Sequence, residues 1–257
     1  MIKNILPTYT TTIPSTGVKV EYTPYNNKQE KVLLMAVEDG DVDVITATTK
    51  KLIESCFINI DVDKLTTFDI DFLFLQLRIQ SVSDKSELYF RSMQCLKEEN
   101  IKNNDGECDK TIKLTIDLSQ IKVEQYNEET EEFSEYQPQT TKNTRNLIEI
   151  SKSVGVTMKY PGFVEQEKFN KLELQNEDEL IKLCITSVYD EESVVTQEEF
   201  SKTDLDEFYN SLIPRQKVGL QKFIRNVPSV RYETEFVCKE CGFREPLKFE
   251  SLESFFG

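Results

Sequence analysis

The sequence predicts an α+β fold: helical N-terminal and C-terminal halves joined by short antiparallel, cysteine-bearing hairpins that form a zinc-ribbon-like module. Three observations predict it. Apolar residues recur at helical spacing between residues 29 and 79 and again between 163 and 224. The last stretch, SVRYETEFVCKECGFREPLKFESLESFFG, alternates like a strand on either side of a tight cysteine turn. Residues 87–118 repeat that plan as strand, cysteine, loop, cysteine, strand.

Taken in order, residues 1–28 are extended or irregular. Leu6-Pro7 and Ile13-Pro14-Ser15-Thr16-Gly17 are turn signals, and Val18, Val20 and Tyr22 alternate as a short strand. A helical pattern begins at Gln29 with Val32, Leu33, Met35 and Ala36, and Asp39-Gly40-Asp41 breaks it. A second helix runs from Val42 to Phe57, with Val44, Ile45, Ala47, Thr48, Leu52, Ile53 and Cys56 on its buried side. Thr66 or Thr67 caps the next helix, in which Phe68, Ile70, Phe72, Leu73, Phe74, Leu75, Leu77 and Ile79 form the most hydrophobic stretch of the chain. That helix is expected to be buried nearly all round. Asp69 and Asp71 within it suit capping or an ion pair with Arg78 better than catalysis, because no histidine or nucleophile accompanies them.

Residues 119–146 are acidic and polar, with a charge run at Glu128, Glu129, Glu131 and Glu132, and read as a linker or exposed connection. Leu147 to Tyr160 alternates as one or two strands that stop at Pro161-Gly162. Residues 163–190 read as mainly helical, with Asn176 capping EDELIKLCITSVYD. A short strand at 191–195, a Thr196-to-Glu199 capping box, a helix through Leu212 and a helix opened by Pro214 lead to the C-terminal hairpin. The chain thus divides into an N-terminal helical region with the first cysteine hairpin (1–118), the acidic linker or exposed loop (119–146), and a C-terminal helical region ending in the second hairpin (147–257).

Composition narrows the chemistry. There is no histidine among 257 residues, which removes Ser/His/Asp and Cys/His catalysis and every histidine metal site. The formal charge of −15 opposes binding to phosphate backbones or anionic membranes. No segment approaches the ~18 consecutive apolar residues of a membrane span. The first residues, MIKNILPTYTTTIPSTG, lack the apolar run and cleavage site of a secretory signal, so reduced thiols in a cytosolic setting are expected.

Of the six cysteines, Cys56 and Cys184 lie at helical core positions and read as small hydrophobes. Cys238-Lys239-Glu240-Cys241-Gly242 has the spacing of a zinc knuckle, with glycine in the position that needs positive φ. Tetrahedral zinc takes four ligands. Cys95 and Cys108, on the repeated strand–cysteine–strand plan but twelve residues apart, are the candidate second pair. The expected ligand set for a structural Zn2+ is therefore Cys95, Cys108, Cys238 and Cys241. Redox chemistry at Cys238 and Cys241 is disfavoured because both flanks read as strands rather than a helix N-terminus. A zinc-ribbon nucleic-acid-binding or transcription regulator is the alternative the cysteines permit and the charge opposes.

Several matches distributed along the chain resemble a known family. They are Leu6-Pro7 and Ser15-Thr16-Gly17 before a strand; Asp69-Ile70-Asp71-Phe72-Leu73-Phe74-Leu75-Gln76-Leu77-Arg78; and the cysteine hairpin before Ile116-Asp117-Leu118. Ile185-Thr186-Ser187-Val188-Tyr189-Asp190, Phe223-Ile224-Arg225-Asn226-Val227-Pro228, Phe236 to Gly242 and the closing Phe255-Phe256 follow in order. This sequence resembles the baseplate hub family of T4-like contractile-tailed phages, the T4 baseplate protein family. The resemblance implies a non-enzymatic structural or assembly protein of the baseplate hub. Its expected partners are hub or tape-measure proteins, not nucleic acid. Its expected locations are the host cytoplasm during assembly and the virion tail baseplate.

Overall fold

The computed structural model describes residues 6–90, 111–128, 130–138, 146–172, 174–238, 242–251 and 253–255. Among them it contains seven α-helices and four small antiparallel sheets.

Local sequence sets the first elements. Strands β1 (Tyr9–Thr12) and β2 (Lys19–Tyr22) pair antiparallel, and their connection closes through Gly17 at φ 70°. Helix α1 (Asn27–Asp39) begins with a reciprocal capping box: Asn26 accepts from the Gln29 amide while the Gln29 side chain accepts from the Asn26 amide. It ends at Gly40, whose φ of 73° costs glycine nothing. Asp41 caps α2 (Val42–Cys56), which returns antiparallel to α1. Thr66 and Asp69 cap α3 (Thr67–Ser81) in the same reciprocal way.

Helix α3 is the centre of the molecule, as its all-round apolar pattern predicts. Phe68 and Leu75 belong to one core, with Ile116, Val123, Val230, Phe236 and Phe249. Ile70, Leu73, Phe74 and Leu77 belong to a second core, with Tyr22, Leu52, Ile53, Cys56 and Phe57. One helix thus supplies both cores from different faces. At its N-terminus Thr67 N–H donates to Pro161 O (2.8 Å), and Thr66 bridges Gly162.

Strands β3 (Lys85–Phe90) and β4 (Ile112–Asp117) form a two-stranded sheet. Strands β5 (Lys122–Asn127) and β6 (Glu132–Glu135) join β11 (Ser229–Val237) and β12 (Arg244–Phe249) in a four-stranded sheet of order β12-β11-β5-β6. Strands β7 (Leu147–Glu149), β8 (Gly155–Met158), β9 (Ile185–Tyr189) and β10 (Val194–Thr196) form the other, in order β10-β9-β8-β7. Helices α4 (Phe163–Asn170), α5 (Glu177–Cys184), α6 (Lys202–Ser211) and α7 (Pro214–Arg225) complete the chain. The third core lies between this second four-stranded sheet and α5–α7, around Met158, Ile181, Cys184, Tyr209 and Leu220.

Four expectations change. The zinc-ribbon-like module is not what the fold builds. Hairpin β11–β12 is half of a larger sheet, because Ser229–Arg231 pair with Glu124–Lys122 of β5, while β3–β4 forms a sheet of its own. Among the described residues no group of three or more cysteine or carboxylate side chains is arranged to hold a metal ion. The inward face of β11–β12 is apolar instead, with Phe236, Cys238, Leu247 and Phe249 in the first core. Second, the segment read as a linker or exposed connection contains two strands: β5 buries Val123, β6 is exposed throughout, and Tyr136 follows β6 into the core. Third, the helix expected through Asp190 stops at Cys184, and β-branched Ile185, Thr186 and Val188 continue as strand. Fourth, the Thr196–Glu199 box closes a turn, and Ser201 with Asp204 caps the helix that follows.

Candidate functional site

The predicted ligand set is divided by the structure. Cys95, Cys108 and Cys241 lie outside the described residues. Cys238 follows the last residue of β11 and is 1% exposed within the first core. Its turn is tight: Cys238 N–H donates to Phe243 O (2.9 Å), Gly242 N–H donates to Cys238 O (2.9 Å), and Gly242 has φ 71°. The two hairpins touch near their loop-side ends, where the ring of Phe90, last residue of β3, lies 5.3 Å from that of Phe236 in β11. Asp69 is a buried structural carboxylate: it accepts from Ser15 N–H (2.8 Å), Thr66 N–H (3.0 Å) and the Thr66 hydroxyl (2.7 Å).

The two other thiols are buried. Burial pushes the Cys184 thiol up to about 12, with the nearby Glu165 charge adding to it. Burial also raises Cys56, against hydrogen bonds from Ser55 and Gln29. Both shifts keep the thiol protonated, the opposite of what activates a cysteine nucleophile.

Sequence patterning gave no sign of a cleft of about 740 Å³ between the β5–β6 ribbon and α7. Its lining includes Gln125, Glu128, Tyr160, Lys222, Phe223 and Asn226. Gln125 Nε2 donates to Tyr160 Oη (3.1 Å) and to Asn226 O (2.9 Å). Lys222 Nζ lies 2.6 Å from Glu128 Oε2, and Asn226 Nδ2 donates to Glu128 Oε1 (3.0 Å). Those bonds, from Lys222 first and then Asn226, hold the Glu128 carboxyl below the usual carboxylate range. Tyr160 stacks on Phe223 with centroids 5.0 Å apart. These contacts tie α7 to the first four-stranded sheet across roughly a hundred residues of sequence. Separation on that scale leaves no local signal to read, apart from the polar residues themselves.

The second unanticipated cluster is built on Arg231, which is 3% exposed. Its guanidinium carbon lies 3.2 Å from the Phe133 ring centre. It pairs with Glu250 (3.0 Å) and Glu124 (3.6 Å) and hydrogen-bonds Glu233. Strand β6, at the sheet edge beyond, carries Glu132 and Glu135, charges that discourage edge-to-edge pairing. The first cluster ties α7 to the sheet, and the second ties the strands of that sheet to one another through the Arg231 ion pairs.

No helix among the described residues is long and apolar enough to cross a membrane. No curated protein and no solved structure matches this chain. The sequence does match one family, described as T4 bacteriophage base plate protein, over residues 6–257. Since that match spans nearly the whole chain, the protein belongs to the T4 bacteriophage base plate protein family and is a structural protein of the phage baseplate.

Proposed function

We propose that the chain is a structural or assembly subunit of the baseplate hub of a contractile phage tail, acting through protein–protein contacts with hub or tape-measure components. It has no enzymatic role in this reading. It works in the host cytoplasm while the hub assembles and takes its place in the tail baseplate. The observation that carries the reading is the family match from residue 6 to residue 257, which includes all three cores. Supporting it are the absence of histidine from the sequence and the protonated state in which burial holds Cys56 and Cys184.

The test is a phage carrying a stop codon early in this gene, grown on suppressing and non-suppressing hosts. The expected result on the non-suppressing host is a loss of complete baseplates. Adding back the purified chain should restore hub assembly, and affinity capture from infected cells should retain hub or tape-measure proteins. Normal tails without the chain, or capture of outer baseplate proteins alone, would overturn the hub assignment.

A further inference from the structure

The middle of α1 is a run of six apolar residues, Val32-Leu33-Leu34-Met35-Ala36-Val37. Six in succession cover every side of a helix, a pattern that ordinarily means enclosure. Here only Ala36 is buried and Leu33 half-buried. Val32, Leu34, Met35 and Val37 are 51%, 54%, 68% and 55% exposed. The inner face is fixed by Gln29, whose Nε2 donates to Ser55 Oγ of α2 (2.8 Å), and by Leu33 and Ala36 at the matching helical spacing. At 3.6 residues per turn, Lys31, Leu34, Met35 and Glu38 fall on the side facing away from α2. Lys31 and Glu38 are both exposed.

This outward stripe is self-complementary: a positive charge, two apolar residues, then a negative charge. We infer that α1 is a homodimer contact, in which the α1 helices of two copies of this chain pack antiparallel about a two-fold axis between Leu34 and Met35. The two copies of Leu34 and Met35 then form one apolar centre. Lys31 of each copy lies beside Glu38 of the other, so the same ion pair forms at both ends of the contact. A two-fold contact of this kind uses one patch twice. Parallel packing would instead set Lys31 against Lys31 and Glu38 against Glu38, so the charges select the antiparallel arrangement. Val32 and Val37, 51% and 55% exposed, border the centre on its two sides. The net charge of −15 repels a second copy at long range, where salt screens it, while the stripe acts at contact.

The inference is tested on the purified full chain by sedimentation equilibrium between about 1 and 300 μM, a range that brackets micromolar association. Wild type is expected to dimerise, and Met35→Asp to be monomeric with unchanged circular dichroism, since the side chain is exposed. Lys31→Glu alone and Glu38→Lys alone should each weaken the dimer about tenfold, by losing two ion pairs and creating two repulsions. The double reversal, Lys31→Glu with Glu38→Lys, should restore association to within about threefold of wild type, because the pairs re-form with exchanged signs. A wild-type chain monomeric throughout, a dimer indifferent to Met35→Asp, or a double reversal no better than the single ones would overturn it. None of these outcomes depends on the hub assignment.

Discussion

Replacing Arg231 by alanine tests how the first four-stranded sheet is held. The guanidinium is buried over the Phe133 ring and touches carboxylates from β5, β11 and the segment after β12. Breaking a buried ion pair by deleting one partner costs about 3–5 kcal/mol. Here the side chains of Glu233 and Glu250 are 54% and 52% exposed, so once unpaired they are hydrated, which moves the expectation to the low end. The lost stack on Phe133 and the lost packing of the stem keep it from falling further. Arg231→Ala should therefore destabilise by about 3 kcal/mol, a fall in Tm of roughly 6–12 °C for a chain of this size, read by scanning calorimetry. Arg231→Met retains the packing and should lose about half as much.

The pH profile supplies a second readout for the same cluster. The hydrogen bond from Arg231 is the main cause that holds the Glu233 carboxyl below its ordinary value of 4.5. A depressed carboxylate stabilises above its unfolded pKa, and that stability is lost as pH falls through the folded value. Wild type should therefore lose stability more steeply below about pH 4.5 than Arg231→Met does. A Tm within about 2 °C of wild type for Arg231→Ala would refute the view that this guanidinium organises the sheet.

Gly162→Ala should destabilise by about 1–3 kcal/mol, measured by urea unfolding, because a Cβ there would sit 2.2 Å from the Leu65 carbonyl oxygen, and backbone must move. Wild-type stability at Gly162→Ala would show that the α3–α4 junction yields freely. The Cys184 thiol, raised to about 12 in the fold, should react with a thiol reagent only on unfolding. Its stabilising contribution is full below the ordinary thiol value of 9.0 and is lost as pH rises toward 12. Rapid labelling of Cys184 in the native chain at pH 8 would contradict this. Metal analysis of the purified chain beside Cys95→Ser and Cys238→Ser tests the four-cysteine ligand set directly. That set requires about one zinc per chain, lost in both variants, and a metal-free wild type rules it out.

The sequence by itself determined the features that depend on neighbours within one or two turns. Thr66, Asn176 and Pro214 set helix starts through bonds to amides three residues away or through a fixed φ, and they could be read directly as such; Asn26 and Asp41 cap α1 and α2 in the same local way, though in the sequence they stand out only as breaks between elements. The all-round apolar pattern of α3 marked the centre of the molecule, and the alternation of Tyr232, Thr234 and Phe236 marked β11. The family resemblance was also legible, because its matches are strung along the chain in order.

Tertiary structure decided everything that joins distant segments. The polar stretch after Ser119 has few apolar residues to announce a strand, and β5 forms because β11 offers it a hydrogen-bonding edge more than a hundred positions later. That pairing absorbed the C-terminal hairpin into a sheet and displaced the expected zinc-ribbon module. The buried environment of Arg231 was equally silent, since its partners come from four separate segments. For Ile185 to Val188, pairing with β8 outweighed the helix that precedes them. In α1 the six apolar residues gave the helix, but which of them meet the core depended on where α2 docked. The exposure of Leu34 and Met35 follows from that packing, not from any property of their own stretch of sequence.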